Sequence, residues 1–187
     1  MLKTEKLKLV SEWDKTFPQS EKVDHKKVTF VNRYGITLAA DLYKPQNASG
    51  KYPAIAVSGP FGAVKEQCSG LYAQTMAEKG YLTIAFDPSF TGESGGYPRF
   101  MASPDINTED FMAAVDFLSV REDVDPDKIG IIGICGWGGM ALNAAVLDTR
   151  IKATVASTMY DMARVNANGY FDSEDSEEAR NAKKQSL

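Results

Sequence analysis

The sequence predicts an α/β fold: a doubly wound, mostly parallel sheet with an antiparallel hairpin at its N-terminal edge. Two observations carry this prediction. Short apolar runs recur that are continuous rather than alternating, as expected for strands covered on both faces; they are Pro53–Ser58, Tyr81–Phe86, Ile129–Cys135 and Ile151–Ser157. Helical stretches separate these runs, and regular alternation of strand and helix implies right-handed β-α-β crossovers.

The hairpin is predicted from period-two alternation. Residues 27–32 and 36–43 alternate apolar and polar side chains on either side of Arg33-Tyr34-Gly35, a turn-forming sequence. Residues 1–20 mix Lys and Glu with a few apolar side chains, which predicts an arm or short helix lying across the body.

Three helices are predicted between the strands. Residues 64–79 end before Gly80, a good helix terminator; residues 107–120 place their apolar side chains on one face; and residues 138–147 are mostly small. We therefore assign a core to residues 21–165. Residues 166–187 are polar, with acidic residues first and basic residues last, which favours an exposed helix that begins a lid or a further C-terminal part.

Composition narrows the function. The chain has 187 residues, 43% of them hydrophobic, and a net charge of -4, which suits one globular domain and disfavours nucleic acid and anionic membranes as partners. It contains no apolar run of about 20 residues and no signal-like start, so we expect a cytoplasmic protein. Cys68 and Cys135 lack metal-binding spacing, so neither a metal nor another cofactor is expected.

One segment carries a catalytic pattern. Residues 130–143 join a buried strand to a helix through a glycine-rich turn, as in a nucleophile elbow. Two registers remain open. With Cys135 as nucleophile, Gly133 is suitably small but Trp137 is unusually large; with position 137 at the tip, Cys135 and Gly139 are small flanks, but tryptophan cannot attack.

Three motifs of this sequence together resemble the dienelactone-hydrolase-like branch of the α/β-hydrolase family. They are Gly133-Ile-Cys-Gly-Trp-Gly-Gly139, Asp87-Pro-Ser-Phe-Thr-Gly-Glu-Ser-Gly-Gly96 and Gly59-Pro-Phe-Gly62. The resemblance implies hydrolysis of an ester or related acyl bond. It also implies Cys135 as nucleophile and the backbone N–H groups of Phe61 and Gly136 as the oxyanion hole.

The remaining candidates have structural alternatives. Asp161 is either the acid of a triad or a helix-start cap, and Trp137 either borders the pocket or fills space. Cys135 itself could be inert packing. His25 is the sole histidine and precedes the nucleophile, whereas the family order requires it afterwards, so we expect a solvated surface residue.

We therefore expect a C-terminally truncated or degenerate hydrolase that acts on a small ester or acyl substrate but is inactive as this chain. The alternative is a non-catalytic binding or scaffold protein that keeps the hydrolase fold. A dinucleotide-binding domain is disfavoured because the G-x-G-x-x-G spacing is absent. Homo-oligomerisation is left open.

Overall fold

The computed structural model describes residues 5–46 and 49–186. Its six strands are β1 (Val23–Val31), β2 (Thr37–Pro45), β3 (Tyr52–Ser58), β4 (Leu82–Phe86), β5 (Val124–Ile134) and β6 (Ile151–Ser157). They form one sheet in the order β1-β2-β4-β3-β5-β6. β1 and β2 are antiparallel to their neighbours, whereas β4, β3, β5 and β6 run parallel to one another. The predicted hairpin edge and parallel interior are both confirmed.

The described residues contain five α-helices and a short 3₁₀ turn at Tyr170–Asp172. The helices are α1 (Cys68–Glu78), α2 (Pro104–Ser119), α3 (Gly136–Leu147), α4 (Met162–Asn168) and α5 (Glu177–Gln185). α2 begins where Ser103 accepts a hydrogen bond from the Ile106 N–H and proline occupies the first helical position. α5 is exposed, with acidic residues in its first turn and lysines in its last.

Apolar side chains cover the sheet on both faces. On one face α2 and α3 pack over β-strand residues, and Phe86 meets Phe111 edge to face at 5.2 Å. On the other face α1 packs over a second cluster that includes Tyr43, Val57 and Ile132. Helices on both faces define the doubly wound arrangement that the sequence predicts.

The N-terminal arm lies on the α1 side without forming a helix or strand between residues 5 and 22. Trp13 and Phe17 pack edge to face, and the Thr16 N–H donates to the Glu66 carbonyl at 2.9 Å. The Gln74 side chain of α1 bonds the arm at Ser20 and Pro18. Residues 5–20 thus lie against α1 without forming a helix.

The β6 edge is the less protected side of the sheet. Val155 on β6 is 51% exposed, although it is apolar. An apolar cavity of about 380 Å³ lies there, with Met76, Ile132 and Val155 in its wall. No helix among the described residues is long and apolar enough to cross a membrane.

Candidate active site

The connection between β5 and α3 is a single residue, Cys135. β5 ends at Ile134 and α3 begins at Gly136, and Cys135 turns the chain between them with φ 57° and ψ -126°. L-residues adopt such a conformation at a cost of about 1–3 kcal/mol, and it recurs at functional sites. The Cys135 N–H donates to the Ser157 carbonyl at 2.8 Å, which ties the turn to β6. The positive φ of Cys135 agrees with the register that has Cys135 at the tip, and that register remains a prediction.

The size of Trp137 does not obstruct this register. The backbone, not the ring, of Trp137 approaches β5: a Cβ added to Gly133 would lie 2.3 Å from the Trp137 carbonyl oxygen and 2.7 Å from Ala141 Cβ. Its indole is only 2% exposed and belongs to the core beneath α3. The burial of Trp137 in the core agrees with its space-filling interpretation, and whether it also borders a substrate pocket remains a prediction.

The loop after β3 lies against the same turn. A Cβ added to Gly59 would lie 2.4 Å from the Ile134 carbonyl oxygen, so the two backbones touch. Two residues later the Phe61 ring meets Trp137 edge to face at 4.7 Å. The ring also lies 2.6 Å from where a Gly136 Cβ would stand. The fold therefore brings Phe61 and Gly136 together beside Cys135.

Within the described residues, the backbone N–H groups of Phe61 and Gly136, the two predicted oxyanion donors, lack a backbone hydrogen-bond acceptor. Within residues 5–46 and 49–186, the Phe61 N–H makes no backbone hydrogen bond. Gly136 is the first residue of α3, and N–H groups of a first helical turn have no acceptor in their own helix. The positive end of the helix dipole also favours negative charge at this place.

Buried charge anchors the loop that carries Phe61. Lys65 is fully buried, and its Nζ lies 2.8 Å from Asp87 Oδ2 and 2.7 Å from Glu93 Oε2. Its backbone N–H donates to the other Asp87 oxygen at 2.8 Å. Burial alone would lower the pKa of Lys65, but the charge of Asp87 and the hydrogen bonds to Asp87, Glu66 and Glu93 together outweigh burial and raise that pKa. α1 begins at Cys68, after Lys65, and not at Val64 as predicted.

The charge network continues to the arm and corrects the prediction for His25. Lys15 Nζ lies 3.1 Å from Asp41 Oδ1, and His25 Nε2 lies 2.8 Å from the same oxygen. The His25 ring stands between Trp13 and Tyr43, each at 5.1 Å, and its side chain is 14% exposed. His25 is therefore not a solvated surface residue, because the arm covers it.

His25 is also too distant to act on Cys135. Across the sheet it is in register with Tyr43, Thr83, Ile55 and then Gly130 of β5. Four strand spacings of about 4.8 Å separate β1 from β5, and Cys135 lies five residues beyond Gly130, a further ~16 Å. The separation of about 25 Å excludes direct proton transfer between the two side chains.

Asp161 lies near the elbow but serves as a helix cap. Its Oδ1 accepts the Arg164 N–H at 3.0 Å at the start of α4, as the capping interpretation predicts. It lines a cavity of about 370 Å³ together with Gly136. Whether it is also the acid of a triad remains a prediction.

Two other groups of reactive side chains lie near the loops. Cys68 is half-buried at the first position of α1, its Sγ 3.8 Å from the Gly59 carbonyl oxygen, and burial raises the pKa of its thiol. The carboxylates of Asp14, Glu66 and Glu93 converge within 4.8 Å. The ammonium groups of Lys27 and Lys65 already contact these carboxylates, so the cluster is a poor fit for a metal ion.

The chain is similar to several known proteins. It is 70% identical over 168 residues to the Pseudomonas aeruginosa protein PA2218, covering 89% of this chain and 45% of that protein. The crystal structure of PA2218 superposes with a TM-score of 0.95 at 65% identity, covering 98% of this chain and 57% of that one. The thiohydrolase aneE of Aspergillus aculeatus is 33% identical over 73% of this chain and 42% of its own length.

These relatives are longer than the chain, which spans about half the length of the curated relatives it matches. A dienelactone hydrolase-like structure from Klebsiella pneumoniae shares the fold, with a TM-score of 0.61 at 21% identity over 73% of this chain and 60% of that one. The family model for X-Pro dipeptidyl-peptidase (S15 family) matches residues 34–186. The chain therefore belongs to the X-Pro dipeptidyl-peptidase (S15) family and has an α/β-hydrolase fold.

Proposed function

We propose that this chain carries the nucleophile and the oxyanion-binding groups of a hydrolase that acts on esters or thioesters. The observation that supports the proposal is the backbone of Cys135, with φ 57° and ψ -126° between strand and helix. This backbone conformation costs about 1–3 kcal/mol, so it persists only where the surrounding fold imposes it. In a nucleophile elbow, such a conformation exposes the nucleophilic side chain above the sheet.

The chemistry follows from the groups at the turn. The Cys135 thiolate attacks the acyl carbon, and the carbonyl electrons move to the oxygen, where the Phe61 and Gly136 N–H groups can hold the negative charge. Collapse of this intermediate expels the alkoxide or thiolate and leaves an acyl thioester on Cys135. Release of the acid then needs a water deprotonated by a base, and His25 lies about 25 Å away.

Esters and thioesters suit these groups better than amides. An amide leaves only when its nitrogen is protonated, which needs a placed acid, whereas a thiolate or an activated alkoxide leaves without one. The thiohydrolase name of the aneE relative points to the same substrate class. Peptides with an X-Pro dipeptide are the competing class, because the family model is named X-Pro dipeptidyl-peptidase.

Acylation of Cys135 by 4-nitrophenyl acetate tests the proposal. The 187-residue chain should release up to one equivalent of nitrophenolate and carry an acetyl group on Cys135 in a mass spectrum, without steady turnover. Cys135→Ala should abolish this release, and Cys68→Ala is the matched control that should keep it. Equal release by wild type and Cys135→Ala would contradict the assignment. An X-Pro nitroanilide cleaved faster than the ester would move the substrate class to peptides.

A second candidate is a non-catalytic binding protein that keeps the hydrolase fold. The Phe61 ring, which lies over Gly136 at the elbow, favours it because the ring restricts access there. This candidate requires that Phe61→Ala also fails to make Cys135 reactive toward the ester. Faster acylation in Phe61→Ala than in wild type would instead identify the ring as a removable cover.

A further inference from the structure

A cavity of about 370 Å³ opens beside the elbow, between the first turns of α3 and α4. Its size lies within the range of small-molecule sites, about 300–1,000 Å³. The wall is mostly apolar and includes Pro104, Gly136, Met140, Leu142, Met159 and Met162. Three of these side chains are methionines, whose flexible thioethers adapt to ligands of varied shape.

The cavity begins where the proposed chemistry takes place. Gly136 belongs both to the cavity wall and to the elbow, as the residue directly after Cys135. Met162 Sδ lies 3.5 Å from where a Gly136 Cβ would stand, on α4 and across from the Phe61 ring. A group attached to Cys135 would therefore start beside the cavity wall at Gly136.

Charge limits what the cavity can hold. Of the described residues that line it, none is a lysine, arginine or histidine, and Asp161 places a carboxylate at the α4 end. A carboxylate or phosphate on the ligand would meet that negative charge without a cation to balance it. An uncharged apolar group loses little on entry and gains from leaving water.

We infer that this cavity binds the acyl part of the substrate, and that this acyl part is uncharged, apolar and longer than acetyl. The inference rests on the proposed function, since it takes the thioester on Cys135 as the point from which the acyl chain extends. After the first step only the acyl group stays attached to Cys135, so the cavity is assigned to the acyl group and not to the leaving group.

Acylation rates of the wild-type chain test the preference. They are measured for 4-nitrophenyl acetate, hexanoate and hemisuccinate and divided by the rate of each ester with free cysteine. The corrected hexanoate rate should exceed the acetate rate by about tenfold or more, since one methylene can be worth that much in a fitting pocket. Hemisuccinate, with its terminal carboxylate, should not exceed acetate. Equal corrected rates for all three esters would overturn the inference.

A substitution locates the effect. Met159 is 44% exposed in the cavity wall, and Met159→Trp should remove most of the hexanoate preference by occupying the space. Leu71→Trp is the matched control, because Leu71 is 46% exposed on α1 and lies outside the wall. Circular dichroism confirms that both variants fold. A preference that survives Met159→Trp in the folded protein places the acyl site elsewhere.

Binding without chemistry separates this inference from the proposed function. The Cys135→Ala chain should bind hexanamide, a neutral mimic of the acyl group, in a calorimetric titration, and the Cys135→Ala, Met159→Trp chain should bind it at least tenfold more weakly. Binding without any acylation of wild type would refute the proposed function and leave the cavity as an apolar site. Acylation of wild type without hexanamide binding would refute the cavity and leave the nucleophile.

Discussion

Replacing Lys65 with methionine tests the claim that buried charge anchors the loop carrying Phe61. Methionine keeps much of the apolar length of the side chain but removes the ammonium that contacts Asp87 and Glu93. Breaking a buried ion pair on one side costs about 3–5 kcal/mol, because the remaining charge has lost its partner. Asp87 keeps the N–H bonds from residues 65 and 93, at 2.8 and 2.9 Å, so the lower end, about 3 kcal/mol, is expected.

Urea unfolding of the 187-residue chain measures this loss. With a slope of about 2 kcal/mol/M, the midpoint of Lys65→Met should fall by about 1.5 M. Lys128→Met is the matched control: Lys128 is 67% exposed and its change should stay within about 0.5 kcal/mol. Neutralising the partner as well, in Lys65→Met with Asp87→Asn, should recover part of the loss. A single-variant loss below about 1 kcal/mol would refute the anchoring role.

Three further predictions concern stability. Gly133→Ala should destabilise the chain by about 1–3 kcal/mol in thermal melts, because its Cβ would stand 2.3 Å from the Trp137 carbonyl oxygen. Phe111→Ala should cost about 3–5 kcal/mol in urea, because the ring is fully buried. In Asp41→Asn, the stability deficit relative to wild type should shrink as the pH falls below about 4. Burial alone would raise the pKa of Asp41, but the hydrogen bond from His25 and the charge of Lys15 lower it, so its contribution is present above that pH and lost as the carboxyl protonates.

Each of the three stability predictions has a control variant or an outcome that would contradict it. Gly139→Ala, where an added Cβ meets nothing within 4 Å, should not share the loss of Gly133→Ala. Phe171→Ala removes a fully exposed ring and should be nearly neutral beside Phe111→Ala. A deficit in Asp41→Asn that grows toward low pH would reverse the sign deduced for that carboxyl.

The strands and helices could be predicted from the sequence because their signals are local. A continuous apolar run such as residues 53–58 needs cover on both faces whatever provides it, and the structure supplies α1 on one side and α2 with α3 on the other. Local patterns do not give the start of α1, which lies at Cys68 and not at Val64. They also do not contain the Lys65–Asp87 pair, whose members are 22 positions apart.

The sequence predicts which residues lie at the Cys135 turn but not where the Trp137 side chain packs. A glycine-rich turn between strand and helix predicts an elbow there, whereas the core beneath α3 decides the position of the Trp137 side chain. The prediction that His25 is solvent-exposed is wrong for a similar reason. Alternation along β1 assigns a side chain to a face, but only the tertiary position of the arm decides whether that face is covered.

The N-terminal arm also has a consequence for the order in which the chain can fold during synthesis. The arm bonds to residues made much later: the Val10 N–H donates to the Glu93 carboxylate, 83 positions along the chain. At about 5–20 residues per second, several seconds pass before that partner leaves the ribosome. Lys15 can meet Asp41 earlier, since only 26 positions separate them in the sequence. Residues 10 and 15 of the arm are thus held in place at different times, and the contact of Val10 waits for the loop after β4.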